Sequence, residues 1–492
     1  MNISFLLLCT LLGMLTGMMF TSKARVWIAC TLTGALCALL AGISILLGQP
    51  SWSWTNGVAL GGQTISLNLD ALGAFFLILL SVVASAASVY SLGYWHQSAH
   101  PQSAPRGRCW WNAMLLGMGG VLLAGNGLHF LLAWELFAVS AYFLVSLERN
   151  NNTARSAGWL YLAASHVGTL ALFAFFSALA AQTGSWELGS LSHRPDLAPL
   201  FWLALVGFGI KAGVFPLHIW LPSAHANAPS HVSALMSGMA IKIGVYGLVR
   251  FSGWMPLPPG ADWLIAGLGC ASAVLGVAFA LGQHDLKRLL AYHSVENIGI
   301  ILMGLGFALL ARERSMPAWG ALALAGGLLH IWNHGLFKSL LFLGAGSVLH
   351  ATGTREMSRL GGLWRAMPWT ATLFTLGSVA ICGLPPLNGF VSEWLIYSGL
   401  FQAGIAKNDT AVAAIPAVVL LAVTGALALA CFIKVCGVIF LGAPRSNRAT
   451  TVHECARTMR AGMLLLAAGC MVIGLFPAVV WRILPRVAHA WS

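Results

Sequence analysis

Charged side chains are scarce in this sequence, and their scarcity decides the class of protein. Only 8% of the 492 residues are Asp, Glu, Lys or Arg, whereas 58% are hydrophobic. A soluble globular domain carries about 25% charged residues. The composition therefore excludes a soluble globular protein and predicts an integral membrane protein built from apolar helices.

Motifs for metal clusters and nucleotides are also missing. The ten cysteines are scattered and form no Cys-x-x-Cys pair, so the sequence gives no support for an iron–sulfur or zinc site. Gly-x-Gly patterns such as GFGIKAG (207–213) lie within apolar segments rather than after a strand, which gives no support for nucleotide binding. We therefore predict no cofactor and no redox centre in this chain.

Long apolar runs fill most of the chain. At about 20 residues per span, the sequence predicts an all-α membrane protein of fourteen transmembrane helices, with short polar loops and a single transmembrane domain over residues 1–492. The predicted segments are 3–20, 27–47, 69–94, 111–127, 129–147, 157–182, 200–220, 230–250, 262–282, 290–310, 320–350, 370–402, 412–440 and 461–481. The eleventh and twelfth are too long for simple spans, so we expect both to be broken or bent. The first has no preceding Lys or Arg and no following cleavage site, so we expect a spanning helix rather than a signal peptide.

Basic residues in the loops predict the orientation. One set of alternate loops carries 15 Lys and Arg residues, whereas the opposite loops and the tail carry seven, namely Arg194, Arg250, Arg312, Arg314, Lys407, Arg482 and Arg486. The positive-inside rule places the richer set in the cytoplasm and both termini on the periplasmic side of a bacterial inner membrane. The net charge of +13 is then partly a topology signal, and we expect no binding to nucleic acid.

Seven ionisable residues on seven different predicted helices lie within the membrane. They are Glu135, Lys211, Lys242, Glu296, Lys338, Glu393 and Lys434. Each such charge costs about 2.5–3.5 kcal/mol or more at mid-membrane. His334 precedes Lys338 by four residues and shares its helix face. Because burial disfavours the charged form of lysine and glutamate alike, such a row is suited to taking up and releasing protons.

Structural explanations exist for several of these residues. A lysine near a helix end often extends its amine to the membrane surface, which is one of two interpretations of Lys434. A lone buried histidine is more often a hydrogen-bonded core residue than a proton carrier, and His166 and His218 fall under that interpretation. A Glu–Lys pair can also serve only to hold helices together. Since seven charges each carry an insertion cost, we favour a functional relay.

Prolines interrupt two of the predicted helices. Pro216 follows Lys211 by five residues in the seventh helix, and CGLPPLNGF (382–390) precedes Glu393 in the twelfth. In transporters, broken helices in the two halves mark ion sites at the interface of inverted repeats. Pro216 and Pro386 lie 170 residues apart, about five helices, so the two broken helices would run in opposite directions. The sequence similarity between the halves is weak.

The interrupted segments and their surroundings resemble a known family. KAGVFPLHIWLPSAHANAPSHVSALMSGMAIKIGVYGLVR, WELFAVSAYFLV, HGLFKSLLFLGAGSVLH and GLPPLNGFVSEWL are similar to segments of the antiporter-like membrane subunits of the complex I superfamily. This family includes proton-pumping subunits of NADH–quinone oxidoreductase, membrane subunits of formate hydrogenlyase and related nickel–iron hydrogenases, and Mrp-type sodium/proton antiporters. The resemblance covers nearly the whole chain and is strongest over residues 110–440.

The resemblance implies a domain plan. It places helices one to three in residues 1–110, a first five-helix repeat in 111–250, an inverted second repeat in 262–440 and a final helix in 461–481. Helices seven and twelve would be the broken ones. The chain ends soon after the fourteenth segment, so we expect it to lack the long lateral helix that some family members add.

The resemblance also implies roles for individual residues. Glu135 would pair with Lys211, the central switching base, and Lys242 would pass protons toward the middle of the subunit. His334 and Lys338 would connect two half-channels, and Glu393 would be the terminal group of the exit side. We call these six residues the relay. Secondary candidates are His218, His225, His231, His293, Glu296 and Lys434.

The leading interpretation is a proton-translocating membrane subunit of a hydrogenase-type or NADH–quinone oxidoreductase-type complex. Its partners would be the lipid bilayer, other membrane subunits and, indirectly, a peripheral iron–sulfur, hydrogenase or NADH-dehydrogenase arm. Glu296 stands where many relatives have Ser or His, which resembles the hydrogenase-type members. The alternatives are a Na⁺/H⁺ antiporter or inorganic-carbon uptake subunit outside a redox complex, and an inert anchor with vestigial charges. The sequence does not decide between H⁺ and Na⁺.

Overall fold

The computed structural model describes residues 2–406, 409–450 and 452–491. Lys407, one of the basic residues used to predict the orientation, lies outside these residues. The described part of the chain is helical almost throughout and contains one two-stranded β-hairpin.

The N-terminal part contains six helices and the hairpin. Their bounds are α1 (Ile3–Met19), α2 (Ala24–Leu46), β1 (Trp52–Leu60), β2 (Gln63–Leu69), α3 (Ala71–Tyr94), α4 (Ser103–Leu123), α5 (Gly127–Val145) and α6 (Asn152–Thr183). Short polar side chains cap four of these helices, and Asn2 accepts from the Phe5 N–H at the start of α1. Asp70, Asn126 and Asn151 accept hydrogen bonds from the first free backbone N–H groups of α3, α5 and α6, which otherwise have no partner within the helix.

The hairpin lies between the second and third predicted spans, where the sequence predicts only a loop. Strands β1 and β2 pair antiparallel, with Trp52 opposite Leu69. Gly61 and Gly62 form the turn with φ angles of 62° and 78°, the left-handed conformation that a two-residue type I′ turn requires. The Gly-Gly pair beside the alternating TISLNL (64–69) is typical of a β-hairpin. Hydropathy over 20 residues does not reveal it.

The seventh predicted helix is interrupted, as expected. A 3₁₀ turn (Pro195–Leu200) leads into α7 (Phe201–Ala212), and the chain resumes as α8 (Trp220–Asn227). Gly213 ends α7 with a φ of 75°, and Pro216 has no backbone N–H with which to continue the helix. Helix α9 (Ser230–Leu235), a π-helical turn (Met236–Ala240) and α10 (Ile241–Trp254) then form one continuous rod.

The remaining helices include the second interruption. Their bounds are α11 (Ala261–Leu281), α12 (Leu286–Glu313), α13 (Pro317–Thr352), a 3₁₀ turn (Met357–Arg359), α14 (Pro368–Ile381), α15 (Asn388–Ile405), α16 (Thr410–Ile439), α17 (Asn447–Thr450), α18 (Arg457–Leu475), α19 (Ala478–Trp481) and α20 (Leu484–His489). The break between α14 and α15 confirms the prediction for the twelfth segment. The eleventh is not broken, because α13 is one helix of 36 residues whose only proline is Pro317, at its first position, where proline is tolerated.

The prediction of apolar membrane-spanning helices is confirmed. Each of the fourteen predicted segments overlaps a helix or an interrupted pair of helices. In the part of the chain that the structure describes, eleven helices are long and apolar enough to cross a membrane, and α1 and α14 are shorter apolar helices. The exact count of fourteen spans stays a prediction.

The centre of the bundle consists of α3, the α9–α10 rod, α12 and α13. The spans of the rod and of α12 are wholly buried, whereas α6 and α16 are mostly exposed. The rod and α13 approach closely at Gly238, where an added Cβ would lie 2.0 Å from Ser339 Oγ. The central helices carry Lys242, Glu296 and Lys338, and this is why these charges are removed from the lipid.

Candidate functional site: a buried row of ionisable side chains

Lys211 lies next to the first helix break. It is the penultimate residue of α7 and is only 2% exposed. Its amine donates to the Tyr161 hydroxyl at 2.8 Å and to Ser165 Oγ at 3.5 Å, two side chains one turn apart on α6. The ring of Phe137 lies 3.9 Å from the amine. The lysine is therefore held by neutral groups within an aromatic enclosure.

Glu135 does not contact Lys211 in this structure. Its Oε2 atom pairs with His166 Nε2 at 3.2 Å, and the two side chains are 33% and 48% exposed. Its Oε1 atom is buried and has no hydrogen-bond partner among the described residues. The expectation that His166 is a buried core residue is wrong, because its ring stands on the outer face of α6 beside the carboxylate.

Lys242 lies just after the π-helical turn. It is fully buried, and its amine donates to the Ser237 carbonyl at 2.5 Å. A π turn shifts the backbone hydrogen bonds from the i−4 to the i−5 carbonyl and leaves local groups free for other partners, and such turns are frequent at functional sites. The turn thus gives Lys242 an acceptor inside the membrane.

Polar groups of Ser237, Ser294 and Leu290 lie between Lys242 and Lys338. The amine of Lys338, also fully buried, donates to the Leu290 carbonyl. Ser294 Oγ donates to the same carbonyl at 3.3 Å and lies 2.9 Å from Ser237 Oγ. The backbone carbonyl of Ser237 accepts from Lys242, so the two predicted relay lysines lie at the ends of one chain of polar groups, in which Ser237 takes part through both its carbonyl and its hydroxyl.

Several histidines lie around this chain. His225 and His334 are fully buried, and neither ring nitrogen of either residue has a hydrogen-bond partner among the described residues. The His225 ring stacks on Phe342 at 4.9 Å, and Phe342 lies 5.3 Å from the amine of Lys338. His225 therefore lies near the Lys338 end of the Lys242–Lys338 chain. His334 is one turn before Lys338 on α13, and its place in the relay stays a prediction.

Two secondary candidates lie farther from this chain. His218 stacks on Phe215 at the first helix break, and His231 packs among Tyr94, Trp95 and Trp111. Neither is hydrogen-bonded through Nδ1 in the described part of the chain.

His293 and Glu296 form a buried ion pair on α12. His293 Nδ1 contacts Glu296 Oε2, and both side chains are at most 1% exposed. On α12, Glu296 lies between Leu290, whose carbonyl accepts from Lys338, and Asn297, which contacts His330. Glu296 therefore stands between the lysine part of the row and the polar groups at its carboxylate end.

Glu393 lies over the second helix break. It is 8% exposed, and a Cβ added to Gly383 would lie 2.4 Å from its Oε2 atom. Gly383 has a φ of 63°, a conformation that glycine adopts without strain. The interruption between α14 and α15 thus provides both the turn and the space that the carboxylate occupies.

A network of neutral polar groups lies beside this carboxylate. His330 contacts Ser392 Oγ at 2.9 Å and Asn297 Oδ1 at 3.0 Å. Asn333 donates to the Asn388 carbonyl at 2.7 Å. The relay and the secondary candidates predicted from the sequence do not include these residues, although His330 precedes His334 by four residues and so shares its helix face.

Lys434 lies apart from the row. Its amine donates to the carbonyls of Leu281 and Gln283 at 2.9 and 3.4 Å, at the carboxyl end of α11. A lysine at a helix C-terminus satisfies free carbonyls and interacts favourably with the helix dipole. This geometry supports the structural interpretation of Lys434.

Among the described residues, no three His, Cys, Asp or Glu side chains lie close enough together to hold a metal ion. The ten cysteines are all free. The amines, imidazoles and carboxylates of the row are groups that bind and release protons.

Known proteins resemble this chain over most of its length. The family profile described as NADH:quinone oxidoreductase/Mrp antiporter, TM matches residues 124–424. Hydrogenase-4 component B of Escherichia coli (strain K12) is 40% identical over 437 residues, which are 87% of this chain and 65% of that protein. Formate hydrogenlyase subunit 3 of the same strain is 38% identical over 467 residues, which are 93% of this chain and 73% of that protein.

A solved structure has the same fold. The Mrp complex from Dietzia sp. DQ12-45-1b contains a chain that superposes with a TM-score of 0.84, covering 99% of this chain and 97% of that one, at 21% identity. The chain therefore belongs to the NADH:quinone oxidoreductase/Mrp antiporter transmembrane family.

Proposed function

We propose that this protein is the proton-translocating membrane subunit of a multisubunit redox complex of the hydrogenase type. Protons would move along Lys211, Lys242, His334, Lys338 and Glu393 while electron transfer takes place in other subunits. The similarity to hydrogenase-4 component B and to formate hydrogenlyase subunit 3 supports this choice of complex over an NADH–quinone oxidoreductase.

One observation carries the proposal. Lys211, Lys242 and Lys338 are 2% exposed or less, and their amines donate only to neutral oxygens among the described residues. A buried charge without a counter-charge is costly, so three such lysines have no advantage as structural ion pairs. A change in a nearby charge can shift a proton on or off each amine, which is what a relay needs.

Glu135 is suited to be that nearby charge. One of its carboxylate oxygens pairs with His166 on the outer face, and the other is buried without a partner among the described residues. His166 follows Ser165, which accepts from the amine of Lys211. A half-exposed Glu–His pair in the middle of two spanning helices is unfavourable against lipid. We therefore infer that another membrane subunit covers this pair and moves Glu135 between His166 and Lys211.

The orientation follows from the basic residues. The loops with more Lys and Arg would lie in the cytoplasm and both termini in the periplasm of a bacterial inner membrane. The family plan would add two inverted five-helix repeats in 111–250 and 262–440, each with one of the two broken helices. A peripheral iron–sulfur and hydrogenase arm would be attached through neighbouring membrane subunits.

The test is proton translocation by the purified complex in proteoliposomes, with electron-transfer turnover measured in parallel. Lys211→Met keeps the apolar stem beside Phe137 but removes the proton site. We expect translocation to fall by roughly 100-fold or more, the range for loss of an acid–base group, while the complex still assembles. Lys434→Met is the matched control, because it removes a lysine whose amine donates to carbonyls at the end of α11. Unchanged translocation in Lys211→Met would contradict the proposal.

A second function has support from the family itself, whose profile also covers Mrp antiporter subunits. The same row could exchange protons for Na⁺ without any redox chemistry. Mass spectrometry of the proteins that copurify with the tagged chain in mild detergent separates the two functions. Hydrogenase and iron–sulfur subunits would support the redox pump, whereas a set of small membrane subunits alone would support the antiporter.

A further inference from the structure

A polar cavity opens at the end of the bundle that we assign to the cytoplasm. Its volume is about 480 Å³, and it lies where α3 and α13 end and where α6, α9 and α12 begin. Glu148 and Asn227 line it near the surface, and Lys287 lines its buried part. A polar space of this size holds several water molecules.

Lys287 is the unexpected residue of this cavity. In the sequence it counts only as a loop charge, yet it is the second residue of α12 and is 1% exposed. Its amine donates to the Ala228 carbonyl. The neighbouring carboxylate of Asp285 is taken by Arg355 at 2.5 Å, so Lys287 has no ion pair among the described residues.

A purely structural role explains this lysine poorly. Positive charge is unfavourable at a helix N-terminus, where the helix dipole is itself positive. The hydrogen bond to Ala228 ties α12 to the junction of α8 and α9, but a neutral side chain would do so without the cost of a buried charge. Like the lysines of the relay, Lys287 is a buried amine that meets a neutral oxygen, with the difference that it borders a polar cavity.

His225 lies between this lysine and the relay. Its carbonyl and that of Ala228, to which Lys287 donates, both accept from Ser233 Oγ. Its buried ring stacks on Phe342, which lies 5.3 Å from the amine of Lys338, and neither ring nitrogen has a hydrogen-bond partner within the described residues. An imidazole with two free nitrogens can accept a proton on one and release a proton from the other.

Helix α12 also brings the cavity close to the relay. Leu290, one turn beyond Lys287, accepts the hydrogen bond of Lys338. The inner end of the cavity thus lies about one helical turn from the Lys338 end of the Lys242–Lys338 chain.

We propose that this cavity is the proton-uptake pathway of the subunit, with Lys287 as its terminal proton acceptor and His225 as the connection to Lys338 and Lys242. The amine of Lys287 takes a proton from cavity water and passes it to neutral His225. The imidazolium then releases a proton from its other nitrogen to the amine of Lys338 or Lys242, and both donors return to their neutral forms. This inference rests on the proposed function, because it names the group that loads the relay.

The first experiment compares two neighbouring residues in the reconstituted complex. Lys287→Met should lower proton translocation at least tenfold, whereas Arg288→Met, an exposed residue on the same first turn, should stay within twofold of the wild type. Lys287→Arg distinguishes a relay from a structural bond, because arginine keeps the charge and a donor but does not release its proton. We expect Lys287→Arg to be as inactive as Lys287→Met, and full activity of Lys287→Arg would overturn the inference.

A second experiment does not depend on the folding of a lysine variant. Asn227→Cys, labelled with a membrane-impermeant methanethiosulfonate from the cytoplasmic side, should lose translocation, because the reagent fills the cavity. Arg288→Cys is the positional control, and the unmutated complex controls for the natural cysteines. Retained activity after complete labelling of Asn227→Cys would overturn the inference.

Lys211→Met, measured in the same assay, separates the two proposals. If Lys287→Met is active while Lys211→Met is inactive, the uptake pathway is wrong and the proposed function stands. If both variants translocate protons at the wild-type rate, the proposed function itself is wrong.

Discussion

The ion pair between Asp70 and Arg250 gives a sharp test of what holds the central helices together. Arg250 is on α10, the helix that carries Lys242, and its guanidinium binds the Asp70 carboxylate through two hydrogen bonds of 2.5 and 2.6 Å. The arginine side chain is 5% exposed and the aspartate side chain 18%. Asp70 also caps α3 by accepting from the Gly73 N–H at 2.8 Å.

Asp70→Asn isolates the charge, because asparagine is as good a cap as aspartate. The substitution leaves a buried guanidinium without a counter-charge, and breaking a buried pair in this way costs about 3–5 kcal/mol. Arg250 keeps its contacts with Tyr246 and the Ala490 carbonyl, and Asp70 is partly solvated. We therefore expect the free energy of unfolding to fall by about 3 kcal/mol, near the lower end of this range.

The assay is thermal unfolding of the detergent-solubilised protein, followed by the reaction of a thiol dye with its buried cysteines, namely Cys382, Cys431, Cys455 and Cys470. The midpoint should fall by several degrees in Asp70→Asn. The control is Asp196→Asn, which removes a partner of Arg194 from a pair of similar length, 2.6 Å, whose side chains are 34% and 52% exposed. Exposed pairs contribute little, so no measurable shift is expected. An unchanged midpoint in Asp70→Asn, or equal shifts in both variants, would refute the reasoning.

Two further predictions concern the relay. Gly383→Ala should reduce proton translocation severalfold, because the new Cβ would lie 2.4 Å from a Glu393 oxygen. Gly404→Ala, where the atoms nearest to the new Cβ are 3.7 and 3.9 Å away, is the control and should translocate protons normally. Equal rates in the two variants would show that Glu393 takes no part in transport. Ser294→Ala removes the hydroxyl 2.9 Å from Ser237 and should slow translocation severalfold without loss of assembly, and a wild-type rate would exclude this hydroxyl pair from the pathway.

The sequence by itself determined the class of the protein, the positions of its helices and most of its buried charges. Composition determines the class, because a chain with 8% charged residues has too few of them for the surface of a soluble protein. Hydropathy determines the positions of the helices, because a membrane span must be predominantly apolar over about 20 residues. The two broken helices also follow from local sequence, since Pro216 and the Pro385–Pro386 pair cannot continue a helix.

The hairpin and the continuous α13 differ from the pattern that hydropathy predicts. Apolar runs of about 20 residues indicate helical spans, whereas the Gly61–Gly62 turn joins two short strands that such runs do not reveal. Length alone suggested a break in the eleventh segment, but a long helix can tilt or extend beyond the bilayer instead.

Only the tertiary structure decided which partners each charge has. Spacing along the chain predicts contacts within one helix, such as His293 with Glu296, but the partners of Lys211 lie 46 and 50 residues away on another helix. The burial of Lys287 could not be predicted from the sequence either. A lysine at the start of a helix has the same local sequence pattern whether its side chain faces water or a cavity between five helices. Burial and partnership depend on how helices pack, and that packing is fixed by side-chain shape across the bundle rather than by the pattern along any one segment.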